Sequence, residues 1–189
     1  PMLRAMPLEF PDDPGCDTLD RQYMLGDSLL VAPIFSSDGR VDYYLPEGRW
    51  TNFLSGHVLE GGRWVREMHG YLSLPLMARP NSIIAVGANE QKPDYDFADG
   101  VTFHIFELAD NATVSARVPT LKGETALTVT ATRTGQIVSV QVEGVTKPWS
   151  VVLRNVTAVQ SVKGGVAQAE EQGTRIIPDI KVGAITIQL

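Results

Sequence analysis

The sequence has a single cysteine, Cys16, in 189 residues. A lone thiol excludes an internal disulfide framework and fits a reducing, cytoplasmic compartment. Histidine is nearly as scarce. His57, His69 and His104 lie far apart, with no H-x-x-x-H or Glu-bracketed spacing, so no metal site is expected. Basic residues are outnumbered, 16 against 22 acidic, for a net charge of -6. Such a surface excludes nucleic acid as a partner, because neutralising phosphates needs an excess of Lys and Arg. No polybasic run suits a membrane surface, and no stretch approaches the roughly 20 apolar residues of a spanning helix. The patterns G-x-S-x-G and G-x-x-x-x-G-K-[ST] are both missing, which removes a hydrolase nucleophile elbow and a phosphate loop. "EGGR", 60–63, reads as a hairpin turn instead. No cofactor is expected. The opening "PMLRAMPLEF" has neither an initiator Met nor a leader, and reads as a cut inside a longer chain.

Aromatics are unevenly spread. Eleven of the fourteen Phe, Tyr and Trp residues fall within positions 1–100, and only Phe103, Phe106 and Trp149 follow. The second half is rich in Val, Thr and Ile. This shift predicts two domains meeting near "GANEQKPDYD", 87–96.

Turn residues are frequent and apolar runs short, so the fold class is all-β. Asp17 can cap a brief helix through Tyr23, closed by Gly26. Strands are predicted at 28–35, 41–46, 63–68, 71–78 and 82–87. In the second half they fall at 101–108, 126–132, 137–144, 149–156 and 184–189. "ALTVTAT" and "IVSVQVEG" alternate apolar and polar residues, and "RTGQ" between them marks a hairpin with Gly135 at positive φ. Half-buried strands at this spacing make antiparallel sandwiches.

The most chemically suggestive stretch is "LEFPDDP", 8–14, which gathers Glu9, Asp12 and Asp13. Retaining hydrolysis of a glycoside needs two carboxyls facing across a bond, about 5–5.5 Å apart. Adjacent residues in an extended loop point apart, and Pro11 and Pro14 fix φ on either side. This therefore reads as a rigid turn whose carboxylates are solvated or cap and hold the loop. Ser73 and Ser82 sit in strand-like context, and Cys16 has no His partner in sequence. The sequons Asn111-Ala112-Thr113 and Asn155-Val156-Thr157 read as chance matches without a secretion signal. Tyr43, Tyr44, Trp50, Phe53 and Trp64 have two readings. They can form a sugar-stacking platform, which would make the chain a free-standing carbohydrate-binding β-sandwich. The reading preferred here is core packing, where large rings bury the most area.

Four stretches occur in order at short spacings: "PMLRAMPLEFPDDP", "DRQYMLGDSLLVAPIF", "YYLPEGRWTNFLSG" and "LSLPLMARPNSIIAVG". Together with "TRTGQ" and "VVLRNV", they make the whole chain resemble the C-terminal part of glycoside hydrolase family thirty-one, nearest its bacterial α-xylosidase branch. The resemblance implies a parent enzyme with a (β/α)8 barrel bearing an Asp nucleophile, in a motif like W-x-D-M-N-E, and an Asp acid/base. Neither segment occurs here, so the resemblance implies no catalytic, cofactor-binding or metal-binding residue in this chain. It further implies that residues 1–23 are the end of the barrel, with 1–6 its last strand and 16–23 its last short helix. Residues 24–90 would be a proximal β-domain and 91–189 a distal β-sandwich. The implied partners are the barrel and N-terminal domain of the same polypeptide, together with an α-xyloside or α-glucoside substrate. Homo-oligomer formation is left open.

Overall fold

A computed structural model describes residues 2–144, 147–179 and 182–189. The chain divides into two compact units, Pro1–Pro80 and Asn81–Leu189. No helix among the described residues is long and apolar enough to cross a membrane.

The first unit contains β1 (Leu3–Arg4), β2 (Tyr23–Leu25), β3 (Leu29–Val31), β4 (Arg40–Leu45), β5 (Arg49–Asn52), β6 (Val58–Glu60), β7 (Arg63–Met68) and β8 (Leu76–Ala78). Six of them form a sheet in the order β1-β2-β3-β8-β5-β6, while β4 and β7 pair as a separate ribbon. Along β4 the period of two is strict: Val41, Tyr43 and Leu45 are buried, while Arg40, Asp42 and Tyr44 face the other way. The inward rings join Met6, Cys16, Met24, Leu30, Trp50, Val65 and Met77 in one core.

Several local expectations give way here. No helix spans 17–23. The turn forms earlier, as a 3₁₀ segment Pro14–Cys16 capped by Asp13, and Tyr23 already begins β2. The competing interaction is the buried Gln22 side chain. It accepts from Tyr44 N at 2.7 Å and donates to Tyr44 O at 2.8 Å, pinning the segment to β4. Of the expected strand 1–6, Pro1 lies outside the described residues. Leu3 and Arg4 pair antiparallel with Leu25 and Met24, and Met6–Glu9 forms a helical turn with Pro7 in its first positions. The run 71–78 yields only β8, where it pairs with β3 and β5.

The second unit contains β9 (Ser82–Val86), β10 (Val101–Phe106), β11 (Thr113–Pro119), β12 (Thr125–Thr134), β13 (Ile137–Glu143) and β14 (Trp149–Arg154). It continues with β15 (Ser161–Lys163), β16 (Gly165–Glu170), β17 (Gly173–Pro178) and β18 (Ala184–Gln188). They build two five-stranded sheets, β16-β17-β14-β10-β9 and β11-β12-β13-β18-β15. Val101, Phe103, Ile105, Trp149, Val151 and Leu153 from one sheet share a core with Val129, Ala131, Val138, Val140, Ile185 and Ile187 from the other. This is the predicted sandwich, and the hairpin at "RTGQ" forms with Gly135 at φ 58°. One pairing departs from the antiparallel expectation: β10 and β14 run parallel. The chain between them passes through β11, β12 and β13 of the other sheet, so it returns to β10 in the same direction. The junction also falls before 87–96. The backbone of β9 pairs with β10, which carries 82–86 into the second unit.

On β10, His104 stacks on Phe106 at 6.4 Å, and the Arg154 guanidinium lies 3.4 Å from its Nδ1. Burial first, then the positive charges of Arg154 and Arg175, push the imidazole down to about 4, against a weaker pull from Glu170. A group held neutral in this way stabilises the fold fully above its ordinary value of about 6.5 and loses that contribution as pH falls towards 4. Denaturant midpoints should therefore fall between pH 7 and pH 4.5. The His104→Gln variant should show a shallower fall over that window, and an unchanged slope would contradict the assignment.

Candidate functional site

The acidic loop is held from several directions. Glu9 ends the first helical turn with its side chain 16% exposed; Oε2 accepts from Arg4 Nη1 at 3.0 Å and Oε1 from Arg79 Nη1 at 2.7 Å. Arg79 also lies over the Phe10 ring, 4.7 Å from its centroid, and Phe10 packs on Trp50 at 6.1 Å. Asp13 Oδ1 accepts from Gly15 N at 2.9 Å and from the Tyr44 hydroxyl at 3.2 Å. Burial and this bond to Asp13 raise the Tyr44 hydroxyl above its ordinary value. Asp12 projects into solvent. Glu9, Phe10, Asp12, Asp13, Tyr44 and Arg79 border a shallow open depression of about 590 Å³.

The three carboxylates therefore meet different fates. Glu9 and Asp13 are each occupied by bonds that hold the loop, and Asp12 stands apart from both. For Glu9 and Asp13 the reading of loop-holding groups matches this geometry, while Asp12 is a solvated carboxylate. The arginines that clamp Glu9 were not foreseen; Arg79 lies 70 residues further along, and no short-range pattern links the two. Removing the clamp's charge should destabilise the fold. Glu9→Gln is expected to cost about 1–2 kcal/mol in urea denaturation, since it leaves two guanidinium groups facing a neutral amide. Asp12→Asn should stay within about 0.5 kcal/mol.

Cys16 is fully buried next to this loop. Burial, reinforced by the charges of Asp13 and Asp17, pushes its thiol up to about 11. It stays protonated and is not a nucleophile at neutral pH.

The aromatic cluster separates by burial. Trp50 is 0% exposed and Tyr43 1%, so neither ring can offer a face to a sugar. Trp50 Nε1 donates to Pro46 O at 2.8 Å inside the core. Trp64 is 59% exposed and meets Tyr44, its cross-strand partner, at 5.9 Å. A platform of Tyr43, Tyr44 and Trp50 does not exist.

One grouping escaped the sequence reading. His69 Nε2 lies 2.9 Å from Glu67 Oε2, and Nδ1 lies 3.0 Å from Ser73 Oγ. Glu67 and His69 share a face as alternate residues, and the bond to Ser73 ties the end of β7 to the following turn. The main chain is held as well, His69 N donating to Gly39 O at 2.9 Å. Among the described residues, no group of three or more His, Cys, Asp or Glu side chains could hold a metal ion.

Comparison with known proteins agrees with this architecture. Residues 1–84 match the glycosyl hydrolase family 31 C-terminal domain, and residues 96–189 match the C-terminal domain of alpha-xylosidase YicI. The alpha-xylosidase XylQ of Lactiplantibacillus pentosus is 35% identical over 149 residues, 77% of this chain and 19% of that protein. An alpha-xylosidase of Emericella nidulans is 42% identical over 109 residues, 53% of this chain and 14% of that protein. Among solved structures, the cycloalternan-forming enzyme of Listeria monocytogenes superposes with a TM-score of 0.84 at 23% identity, over 99% of this chain and 20% of that one. The chain thus spans about a fifth or less of the length of these relatives. Between them the two family models leave only the stretch 85–95 unmatched. The chain belongs to glycosyl hydrolase family 31, as its C-terminal region.

Proposed function

We infer that the chain is the C-terminal β-region of a retaining α-glycosidase of α-xylosidase type, and that it serves as a scaffold without supplying the reacting carboxylates. In this reading the parent enzyme releases terminal α-xylosyl or α-glucosyl units through a covalent glycosyl-enzyme intermediate, in a reducing cytoplasm. Residues 1–23 are the end of its barrel, and the β-units follow. The observation that carries the reading is the state of the acidic loop. Such a mechanism needs one carboxylate free to attack and one free to shuttle a proton. Glu9 and Asp13 are instead tied into the loop's own framework. The surface of the first unit supports the scaffold role. Phe35 and Met68 are largely exposed, and Tyr71 and Leu72 fully so, which is unusual for a domain that ends at its own surface. We assign that surface to packing against the catalytic part of the same polypeptide.

The test is turnover by the 189-residue chain of chromogenic α-xyloside and α-glucoside. No release above buffer is expected. Release that disappears in Asp12→Asn or Asp13→Asn would place the catalytic pair in this loop and overturn the reading.

A further inference from the structure

Three side chains of the first unit are bonded in series at the end of β7. Glu67 Oε2 lies 2.9 Å from His69 Nε2, and His69 Nδ1 lies 3.0 Å from Ser73 Oγ. A carboxylate only accepts, so the bond to Glu67 places the imidazole proton on Nε2. That leaves the Nδ1 lone pair to accept from the Ser73 hydroxyl. The imidazole is well enclosed, its side chain 12% exposed, and its backbone N donates to Gly39 O at 2.9 Å. Ser73 N donates to Gly70 O at 3.3 Å, which closes the turn and fixes where the hydroxyl stands. Acceptor carboxylate, oriented imidazole and bonded hydroxyl are, in that order, the parts of a nucleophile relay. No G-x-S-x-G surrounds Ser73, so no local motif announces it.

The relay opens on space. Ser73 and His69 line a cavity of about 400 Å³ with Ser36, Asp38, Gly70 and Tyr71, a size suited to a small molecule. The main chain at Gly70 is open to close approach, since a Cβ built there meets nothing within 4 Å. Main chain reachable in this way lets a backbone amide meet a developing oxyanion. Asp38 brings a carboxylate to the lining. Its Oδ1 accepts from Ser36 Oγ and from Arg40 N at 3.1 Å, and these bonds hold the carboxyl below its ordinary range. An anionic substrate is therefore disfavoured. We propose that Ser73 is an acyl-accepting nucleophile and that this cavity hydrolyses short, uncharged carboxylic esters. The Ser73 oxygen attacks the ester carbonyl as its proton passes to His69 Nδ1. The C–O bond to the alcohol then breaks, and the alcohol leaves with that proton, giving acyl-Ser73. Water attacks the acyl carbon and gives a proton to Nδ1. The bond to Ser73 breaks, the proton returns to its oxygen, and the carboxylic acid departs. Glu67 touches no substrate and is a positioning residue that holds the tautomer. All of these groups belong to the first unit, so the site stands apart from the α-glycosidase reading. Tyr71 belongs to the surface assigned above to the catalytic part, and that surface borders the site.

The experiment is hydrolysis of p-nitrophenyl acetate by the 189-residue chain. Saturable release is expected, and Ser73→Ala should lower it by about a hundredfold or more. Glu67→Gln should lower kcat by about tenfold or more with KM unchanged, and Glu67→Asp should recover part of the loss. The p-nitrophenyl ester of succinic acid, which carries a free carboxylate, should react more slowly, and Asp38→Asn should narrow that gap. Circular dichroism melts check that each variant remains folded. Labelling of the unsubstituted chain is independent of any variant: diisopropyl fluorophosphate should attach to Ser73, read by peptide mass mapping, and should block release. Release unchanged in a folded Ser73→Ala overturns the proposal, as does a label found on another residue. A chain that shows no saturable release and takes up no label overturns it as well.

Discussion

Trp50→Ala should unfold the first unit, whereas Trp64→Ala should leave it intact. Both tryptophans lie on short strands of the same unit, in a stretch whose rings can equally be read as a sugar platform. The structure gives them opposite roles. Trp50 is entirely enclosed, bonded to Pro46 O, and packed against Phe10 beneath the acidic loop. Truncating it removes the largest side chain of that core and leaves a cavity that surrounding strands cannot fill. It also strips a carbonyl of its donor. A loss of about 3–5 kcal/mol follows, a large share of the stability of an ordinary domain. Trp64 keeps most of its area in water, so its removal forfeits only the contact with Tyr44 and should cost about 0.5 kcal/mol. Denaturation followed by far-ultraviolet circular dichroism separates the two outcomes. Comparable losses at both positions would mean that Trp64 is also a core residue.

Gly173→Ala should be nearly as damaging to the second unit. Gly173 begins β17 at φ 148°, a backbone region that residues with a side chain rarely adopt. It pairs with Arg154 at the end of β14, and a Cβ placed there would lie 2.1 Å from Leu153 O. That oxygen is the main-chain carbonyl of the core residue Leu153 itself, so it cannot swing aside as a flexible side chain would. The substitution must either strain the backbone or part β17 from β14. The two effects together are expected to cost about 3–4 kcal/mol. Hydrogen exchange should show the loss first in the β14 and β17 amides. The control is Gly123→Ala, a turn glycine at φ 83° with open space around its Cβ position. It carries only the backbone term, about 1 kcal/mol. Equal losses at the two positions would remove the steric part of the explanation.

Several β-strands of the second unit are legible in the sequence because each records its own burial. Along β12 and β13 the residues alternate between core and solvent, and that alternation is a local property of the chain. Gly135 marked their hairpin for the same reason, since positive φ is a demand on one residue. The sequence reading gives no strand at β11 or from β15 to β17. β16 is exposed from Val166 to Glu170 and shows no alternation to detect, although it pairs fully with β17. The helix expected at 17–23 failed through a contact no local pattern could reveal, the clasp of Gln22 on Tyr44. A parallel β10–β14 pair likewise depends on where the intervening chain travels, not on either strand's sequence.

By itself the sequence determined the all-β class, the family, and the loop-holding character of "LEFPDDP", whose prolines and adjacent aspartates constrain geometry over a few bonds. Tertiary structure alone decided which partners those carboxylates take, which tryptophan is core and which is surface, and which strand is left as an open edge. Each of these depends on groups brought together from distant positions, as Arg79 is to Glu9. Spacing along the chain records what a residue's neighbours permit, and only the folded backbone sets which remote charge or ring finally meets it.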